Sequence, residues 1–364
     1  MDSRFDVAVL GGGPAGSAAA LLLARSGVSV VLLERSRYDT DRIGETVLPE
    51  IQIPLQTLGT WEFFKRARHR PIGGISSVWG SAQRSESDFI FSPYGHGWVL
   101  DRRRFDAMLA EAATASGANV KCCAHVVSCE TQPNHNWIVR FRSYNKESAV
   151  NVRFVLNATG RAGAISGLIS SRIYGDKSIG MIKRLRGGGE MCDGERTLVE
   201  ASKDGWWYST WLPNNELLVV YMTDLIEYAR AVGQHERVWT EGLTLAPHTF
   251  ARVVQCAASS KIRTVHSGCS RSQRGGGDRW LSIGDAALAF DPLCGQGILR
   301  ALHSGIFGAR VVMRGLNEGV LNTVGMDSTR AFSQHLALRS AYYRVEQRWQ
   351  DSLFWIRRSV APQP

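Results

Sequence analysis

Three glycines and a glutamate near the start of the chain have the types and the spacing of a nucleotide-binding site. Gly11, Gly13 and Gly16 follow the pattern GxGxxG, and Glu34 stands at the end of a later apolar run. The first glycine permits a tight strand-to-helix turn, the second lets a diphosphate approach the backbone, and the third lets the helix pack closely on the strand. A carboxylate at the position of Glu34 accepts hydrogen bonds from ribose hydroxyls and repels a phosphorylated ribose. The pattern predicts a site for an adenine dinucleotide.

The elements that must position these residues are in register with that chemistry. Residues 5–10 form an apolar, β-branched run that is typical of a strand buried on both faces, and residues 28–33 form a second one. Between them, residues 15–26 predict an alanine-rich helix. Pro14 stands at its start, where a missing N–H costs nothing, and the helix N-terminus favours a diphosphate. Strand, turn, helix, strand and acid therefore support one site.

The charge of the chain does not by itself identify a partner. The formal net charge is +10, from 43 lysines and arginines against 33 acidic residues. Such a charge suits an acidic substrate, an acidic protein or nucleic acid, but it is also typical of an arginine-rich solubilising surface. The arginines stand in small groups, such as residues 102–104 and 357–358, and no nucleic-acid-binding motif is present. We favour the solubilising surface and expect no nucleic-acid partner.

Cysteine and histidine spacing gives no sign of a metal site or a disulfide framework. The seven cysteines include no CxxC pair, and the nine histidines form no HExxH cluster, so we expect no metal. No apolar run approaches the roughly 18 residues that a membrane span needs. A strand from residue 5 leaves no room for a signal peptide, so we expect a cytoplasmic location. The cysteines are Cys122, Cys123, Cys129, Cys192, Cys256, Cys269 and Cys294.

Two distant segments extend the dinucleotide site. Residues 152–156 predict another buried strand, which the small-residue turn Ala158-Thr159-Gly160 follows. Residues 280–283 predict a further strand, ending at Gly284 and Asp285, where a carboxylate can hold a ribose or polyol hydroxyl. After Pro292, Gly295 and Gly297 lead into an apolar helix whose N-terminal amides suit the N1–C2=O edge of a reduced flavin.

Together these segments resemble the FAD-binding elements of the flavoprotein monooxygenase superfamily, which includes aromatic hydroxylases, flavin-dependent halogenases and geranylgeranyl-type reductases. The resemblance extends from residue 5 to about residue 312. It implies FAD as the cofactor and an α/β fold: a Rossmann-like FAD-binding domain with an inserted antiparallel β-sheet substrate lobe and C-terminal helices. We expect residues 1–65, 98–165 and 275–325 in the FAD-binding domain, 66–97 and 166–274 in the lobe, and 326–364 in the helices.

Two more segments match the superfamily. RIGETVLPEI, residues 42–51, resembles a stretch that runs beside the flavin in halogenase-like members, and GWVLDRRR, residues 97–104, resembles one that supplies an arginine to FAD. That arginine is Arg104 or Arg102 unless both cap the helix near Arg103, and Glu45 either bonds near the flavin or caps a helix starting around Thr46. The FAD contacts that the resemblance implies are Gly11, Gly13, Pro14, Ala15, Gly16, Glu34, Arg35, Arg42, Glu45, Thr46, Arg104, Thr159, Gly160, Gly284, Asp285, Pro292, Gly295, Gly297 and Ile298.

Halogenase-like members are the more similar branch, but halogenase signatures are missing. The segment RPIGGISSVWGS, residues 70–81, is comparable with the one that carries the halogenase lysine, yet no lysine occurs from Arg66 through Val120. The WxWxIP motif is also absent, since the nearest stretch is GWWYSTWLP, residues 205–213. The chain therefore resembles a halogenase-like subgroup without the lysine, which includes flavoproteins that process a tryptophan of a partner protein during biogenesis of protein-derived quinone cofactors.

Candidate catalytic and substrate residues follow from this resemblance. Pro292 and Cys294 adjoin the flavin loop, where the thiol either packs or is redox-active, and His303 is either a proton donor or a packing residue. Trp79, Trp206, Tyr208 and Trp211 are candidate walls of an aromatic pocket, and core packing is the alternative for each of them, as for Trp207. The last forty residues read as one or two amphipathic helices that pack on the FAD domain or, alternatively, bind a partner.

The predicted function is FAD-dependent hydroxylation of an aromatic substrate through a flavin hydroperoxide. The substrate is a tryptophan of a partner protein or a small aromatic molecule. The sequence shows no second, nicotinamide-binding cradle, so electrons come from a separate flavin reductase or from a transiently bound nicotinamide. A halogenase, a geranylgeranyl-type reductase and a non-catalytic flavoprotein assembly factor are the alternatives.

Overall fold

Two eight-stranded sheets and two three-stranded sheets form the frame of the part of the chain that the structure describes. The computed structural model describes residues 3–144, 146–162, 170–187, 196–230, 233–258, 260–318 and 328–360. The strands are β1 (Ser3–Leu10), β2 (Val30–Leu33), β3 (Thr46–Val47), β4 (Arg70–Ile72), β5 (Gly74–Val78), β6 (Ser85–Asp88), β7 (Gly97–Val99), β8 (Asn119–Lys121), β9 (His125–Thr131), β10 (Trp137–Ser143), β11 (Lys146–Asn157), β12 (Arg172–Tyr174), β13 (Ser178–Gly187), β14 (Arg196–Ser202), β15 (Gly205–Trp211), β16 (Glu216–Asp224), β17 (Cys256–Ala258), β18 (Arg263–His266), β19 (Ser270–Ser272), β20 (Gly276–Gly277), β21 (Trp280–Ser282) and β22 (Leu288–Ala289). The helices are α1 (Pro14–Arg25), α2 (Gln52–Leu58), α3 (Trp61–Arg66), α4 (Arg102–Ala115), α5 (Leu225–Arg230), α6 (His235–Thr244), α7 (Pro247–Val253), α8 (Gly297–Glu318), α9 (Ser328–Arg344) and α10 (Leu353–Ser359).

The first large sheet is mainly parallel and contains the N-terminal strand. β1 lies between β2 and β11 and is parallel to both, while β21 and β8 extend the parallel order at the two sides. The hairpin of β9 and β10 pairs with β11, and β20 with β21, in antiparallel fashion. Alternate residues of β1 belong to two different cores, so the strand is buried on both faces, as its continuous apolar run predicts.

Small residues allow α1 and α8 to pack closely on one another and on this sheet. A Cβ added at Gly305 of α8 would lie 2.3 Å from the carbonyl oxygen of Ala15 in α1. Ala18 and Ala19 of α1 are fully buried in the same core. The close packing holds the N-termini of both helices at the carboxyl ends of the parallel strands, where α/β proteins bind nucleotides.

The second large sheet forms most of the predicted substrate lobe. Its strands follow the order β17-β13-β16-β15-β14-β5-β6, with β18 also paired to β13. All neighbours are antiparallel except β14 and β5, which are parallel. Of the small sheets, β3-β7-β4 joins residues 46–47 to the edge of this lobe, and β12-β19-β22 joins strands on either side of residue 275. The domain boundaries stated above remain our proposal.

The C-terminal helices pack on both parts of the molecule, so the predicted docking on the FAD domain alone is incomplete. Phe332 and Leu336 of α9 pack with residues 287–290 beside the flavin loop. Tyr343, at the end of α9, and Trp355, in α10, pack instead on β15 and β16 of the second sheet. The residues between α9 and α10 let the chain turn, so that α10 packs on the lobe.

The strand β3 decides between the two alternatives for Glu45. Residues 46–47 form the strand β3, so no helix starts at Thr46 and the capping alternative for Glu45 is wrong.

Among the described residues, no helix is both long enough and apolar enough to cross a lipid bilayer. Cys192 lies outside the described residues.

Candidate functional site

The glycines of the GxGxxG turn are required by the packing around them. Gly11 has a φ of +104°, and a Cβ there would lie 2.5 Å from the carbonyl oxygen of Ala158 in the ATG turn. A Cβ at Gly16 would lie 1.9 Å from the carbonyl oxygen of Gly11. Among the described residues, and leaving out its chain neighbours, the one group within 4 Å of a Cβ at Gly13 is Nη1 of Arg42, at 4.0 Å. The middle of the turn is thus open next to a guanidinium group, which fits the diphosphate of FAD.

Glu34 is buried and ionised at the end of β2. Its Oε2 accepts from the backbone N–H of Gly12 at 2.7 Å, and Oε1 accepts from Ser36 and from Arg42, whose Nη2 is 2.8 Å away. Burial acts to raise the pKa of Glu34, but Arg42 and the hydrogen bonds from Ser36 and Gly12 outweigh it and hold the pKa below its ordinary value. Oε2 keeps a lone pair for a further donor, which fits a ribose hydroxyl.

Arg42 and Arg102 link the RIGET segment to helix α4. Arg42 pairs with Asp106 at 2.8 Å, and Arg102 binds the same carboxylate at 3.1 Å as well as the carbonyl oxygens of Ile43 and Gly44. Asp101 caps α4, because its side chain accepts hydrogen bonds from the backbone N–H groups of Arg103 and Arg104. The Arg104 side chain is 60% exposed and pairs with Asp101.

The choice between Arg102 and Arg104 therefore favours Arg102. Arg102 contacts the segment that runs beside the flavin in similar proteins, whereas Arg104 points to solvent and Arg35 is also exposed. A direct contact of any of these arginines with FAD stays a prediction.

The ATG turn and the strand β21 come together as expected. Ile283 donates its N–H to the carbonyl oxygen of Asn157, and the side chain of Asn157 bonds both Thr159 and Ser282. Just beyond the turn, Arg161 pairs with Asp285 at 3.0 Å and also donates to the carbonyl oxygens of residues 267, 268 and 290. Arg161 thus orients Asp285, the residue predicted to hold a hydroxyl of FAD.

The flavin loop, residues 291–297, leads into α8. Asp291 is buried and accepts from the N–H of Leu293. Gly295 and Gly297 are exposed at the start of the helix, and the N–H of Gly295 donates to the carbonyl oxygen of Pro292 at 3.0 Å. Ile298 is buried in the core below. Burial raises the pKa of Cys294, and the thiol packs against the cluster around Phe290, which supports packing over redox activity.

His303 is exposed on the surface of α8, whereas the preceding residue, Leu302, is buried. The structure therefore gives no packing role to this side chain. Its predicted role as a proton donor, like that of Pro292 as a flavin contact, stays a prediction.

The RIGET segment contacts the second sheet through a group of side-chain hydroxyls, which we call the hydroxyl network: Thr46, Thr197, Tyr208 and Thr210. Thr46 Oγ1 lies 2.8 Å from the hydroxyl of Tyr208 and 2.8 Å from Thr197 Oγ1, which lies 3.1 Å from Thr210 Oγ1. Burial first, and then the charge of Glu45, raise the pKa of Tyr208, so its hydroxyl stays protonated and can donate.

An open cleft is lined by residues of the RIGET segment, of α4 and of the turn after β15. The side chain of Glu45 forms part of its wall and is only 2% exposed. Burial raises the pKa of Glu45 to about 7, against the lowering effects of Arg102 and of the N–H of Gly44. The other lining residues are Asp41, Arg42, Leu100, Asp101, Arg102, Arg103, Arg184, Leu212, Pro213 and Asn214.

The tryptophans of β15 divide between two faces of the sheet, so the predicted pocket is partly wrong. Trp206 and Tyr208 pack with Trp79 in one cluster, whereas Trp207 and Trp211 pack in another cluster with Trp239. Side chains alternate along a strand, and Trp211 is an odd number of residues from both Trp206 and Tyr208. Trp211 therefore cannot line a pocket with them.

A buried hydrogen-bonded chain connects the first cluster to the flavin loop. Trp206 donates from Nε1 to the hydroxyl of Tyr343 at 2.9 Å, and that hydroxyl donates to Asp291 Oδ2 at 3.1 Å. Trp79 packs edge-on against Trp206, Tyr343 and Trp355, with ring centroids 5.2 to 6.4 Å apart. These contacts place the C-terminal helices against the site.

Sequence reasoning missed several residues of this site. Asp106 is four residues from Arg102 on α4, and Arg161 directly follows the ATG turn, so helical spacing and chain proximity could have pointed to both. Thr197 and Tyr343 carried no signal, because they reach the site only through the pairing of distant strands and the path of the C-terminal helices.

Known proteins share this fold over nearly the whole chain. The family model described as an FAD binding domain matches residues 4–303. The putative FAD-dependent oxidoreductase LodB of Marinomonas mediterranea is 28% identical, covering 97% of this chain and 96% of LodB. A tryptophan 2-halogenase of Chondromyces crocatus is 27% identical, covering 99% of this chain and 72% of the halogenase.

Two solved structures show the same fold. The myxobacterial chondrochloren halogenase CndH has a TM-score of 0.87 at 23% identity, over 98% of this chain and 86% of CndH. The peptidyl tryptophan dihydroxylase QhpG, described as essential for tryptophylquinone cofactor biogenesis, has a TM-score of 0.80 at 20% identity, over 99% of this chain and 80% of QhpG. The expected α/β fold and FAD cofactor are confirmed.

Proposed function

Because the chain belongs to the FAD binding domain family and is an FAD-dependent oxidoreductase, we propose that it is a monooxygenase that hydroxylates a tryptophan of a partner protein. Bound FAD, once reduced, supplies the electrons and the activation of dioxygen for this chemistry. The chain's own residues hold the cofactor and present the substrate. Glu34, the GxGxxG turn and the amides at the start of α8 bind it, and Arg161 orients Asp285 towards it.

The observation that carries the proposal concerns one segment of the substrate lobe. This segment, residues 70–81, is comparable with the one that carries the lysine in halogenases, and its side chains have a different chemistry. The comparable segment forms β4 and β5, and Ile72 there is buried in the cluster that contains Trp206. No lysine occurs from Arg66 through Val120. This wall offers apolar side chains and the hydroxyl network but no ammonium group, which favours transfer of oxygen over transfer of a halogen.

A peptidyl substrate suits the cleft beside Glu45. The cleft is open to solvent and bounded on one side by Leu212 and Pro213 and on the other by charged residues of the RIGET segment and of α4. We propose that the tryptophan side chain of a polypeptide approaches the flavin from this opening while the backbone of that polypeptide stays outside. The fold that this chain shares with QhpG adds support, since QhpG is named a peptidyl tryptophan dihydroxylase. We propose a separate flavin reductase as the electron source.

The test is a product analysis with the FAD-loaded protein, a flavin reductase, NADH and a tryptophan-containing peptide. We expect the peptide to gain one or two oxygen atoms, labelled when the gas is ¹⁸O₂. Omitting dioxygen must abolish the product. Reduction of a substrate double bond without dioxygen would point to a reductase instead, and absence of turnover with any peptide or partner would point to an assembly factor.

Halogenation is the second candidate, because several of the similar proteins are flavin-dependent halogenases. The same assay distinguishes it when chloride or bromide is added. A product with halogen in place of hydrogen would overturn the hydroxylase proposal, whereas an oxygenated product that does not respond to halide supports it.

A further inference from the structure

Glu45 is a buried carboxyl group with one unpaired oxygen. Its Oε2 accepts from the N–H of Gly44 at 3.0 Å, but Oε1 has no hydrogen-bond partner among the described residues. The backbone carbonyl of Glu45 is fixed by the N–H of Leu100 at 2.8 Å, so the residue cannot easily turn outwards. An unpaired buried carboxyl oxygen is unfavourable, and a glutamine would avoid the charge.

A second buried glutamate shows how the chain satisfies such a group when its role is only structural. Glu200 is 1% exposed, and its two oxygens accept from the N–H of His248 and from the N–H and hydroxyl of Thr249. Glu200 thus caps the start of α7. Among the described residues, Glu45 has no comparable set of partners.

Within the part of the chain that the structure describes, no ion pair to Glu45 is found. Arg102 is bonded to Asp106 and to backbone carbonyls, and Arg184 is paired with Asp41 and Glu216. Burial therefore prevails, and the pKa of Glu45 lies at about 7. A carboxyl group with this pKa can both take up and release a proton near neutral pH. The titratable and charged residues that face it are Asp41, Arg42, Asp101, Arg102, Arg103, Arg184 and Tyr208.

Glu45 adjoins the hydroxyl network and also lines the open cleft. On the inner side, its neighbour Thr46 is bonded to Tyr208 and Thr197, and the charge of Glu45 acts on Tyr208. On the outer side, Glu45 lines the open cleft, at whose wall Asp41 and Asp101 also lie. The carboxyl group, with its unpaired Oε1, therefore contacts the cleft and lies next to a residue of the network, as a relay for a proton requires.

We propose that Glu45, acting with the hydroxyls of Thr46 and Tyr208, accepts the proton that the aromatic ring loses on hydroxylation and releases it to the cleft. This inference rests on the proposed function. In that reaction a ring C–H bond breaks and its electron pair stays in the ring, while the proton forms an O–H bond on Oε1. The new C–O bond takes its oxygen from dioxygen, and reduced FAD supplies the two electrons with which the other oxygen leaves as water.

The experiment compares the wild type with Glu45→Gln, Glu45→Asp and the control Glu200→Gln, all loaded with FAD. The first readout is infrared absorption of protonated carboxyl groups as a function of pH. We expect a band that titrates near pH 7 in the wild type and in Glu200→Gln, and that Glu45→Gln lacks. This readout needs no substrate and no turnover.

The second readout is the pH dependence of peptide hydroxylation. We expect the wild-type rate to rise through the pKa of Glu45 to a plateau, because the ionised carboxylate is the acceptor. In Glu45→Gln the rate should fall by about 100-fold and lose this dependence, and Glu45→Asp should restore part of both.

The outcomes separate this proposal from the proposed function. A wild type that hydroxylates the peptide, with Glu45→Gln matching it in rate and pH profile, would overturn the proton acceptor alone. A wild type without any hydroxylation would overturn both proposals. A missing infrared titration in the wild type would overturn the proton acceptor whatever the activity.

Discussion

Glu45 has an effect on folding as well as its proposed part in the reaction. Burial raises the pKa of Glu45 to about 7 from an ordinary value of 4.5, so the folded chain binds a proton there more tightly than the unfolded chain does. With respect to this group, stability is greatest at a pH below 4.5, falls as the pH rises between 4.5 and about 7, and is constant above that range.

Replacing Glu45 with glutamine should remove this pH dependence. At about pH 8 we expect the variant to be more stable than the wild type by up to about 3 kcal/mol. At about pH 4 the two proteins should have nearly the same free energy of unfolding. Urea unfolding at the two pH values measures the difference. A variant that is less stable at the higher pH would show that the carboxylate has a stabilising partner.

The glycine turn offers a test of FAD binding at a single residue. Gly16→Ala would place a Cβ 1.9 Å from the carbonyl oxygen of Gly11, so the turn must open and FAD affinity should fall by at least about 100-fold. Gly73→Ala is the matched control, since a Cβ at Gly73 meets nothing within 4 Å. Fluorescence titration with FAD measures both. Wild-type affinity in Gly16→Ala would contradict the assignment of the cradle.

At the scale of elements, local sequence patterns predicted the FAD-binding strands and helices well. Residues 5–10 and 15–26 correspond to β1 and α1, because a buried apolar run, a proline at the helix start and a glycine after its end are all local signals. Thr46 misled the prediction, because the pairing of β3 with β7 across fifty residues decides its conformation. Trp211 was wrongly assigned to the pocket, because the assignment used residue type and ignored the alternation of side chains between the two faces of a strand.

The site was less predictable than the fold for a related reason. Thr46 is more than 150 positions away from the other three residues of the hydroxyl network, and the antiparallel pairing of β14 with β15 brings only those three together. Tyr343 reaches Asp291 only because α9 crosses the flavin loop. No local pattern contains that information.

The contact between α9 and the lobe can be tested with neighbouring tyrosines. Tyr343→Phe removes the hydroxyl that accepts from Trp206 and donates to Asp291, so we expect a loss of about 1–3 kcal/mol in the free energy of unfolding. The control is Tyr342→Phe, at a side chain that is 60% exposed and should change stability by less than about 0.5 kcal/mol. Chemical denaturation of the two variants gives the comparison, and equal stabilities would argue against a role of the buried hydroxyl.

At the scale of the whole molecule, FAD should stabilise the fold, because residues from four distant segments of the chain form its site. With free FAD at about 100 times its dissociation constant, we expect a gain of about 2.7 kcal/mol in the free energy of unfolding, and a loss of the same size when FAD is removed. Thermal unfolding with and without FAD measures it. In Gly16→Ala the same FAD concentration should stabilise by at most about 0.4 kcal/mol, and a response equal to that of the wild type would place the cofactor elsewhere.

The chain from Trp206 through Tyr343 to Asp291 also has a thermodynamic consequence. It joins the wall of the substrate lobe, the C-terminal helix and the flavin loop by two hydrogen bonds. By linkage, if occupancy of the lobe changes the affinity of the loop for one oxidation state of FAD, that oxidation state changes the affinity for substrate by the same factor. The shift of the flavin midpoint potential on substrate binding and the ratio of the substrate's affinities for the oxidised and reduced protein are then two measures of a single coupling energy, and Tyr343→Phe should diminish both by the same factor.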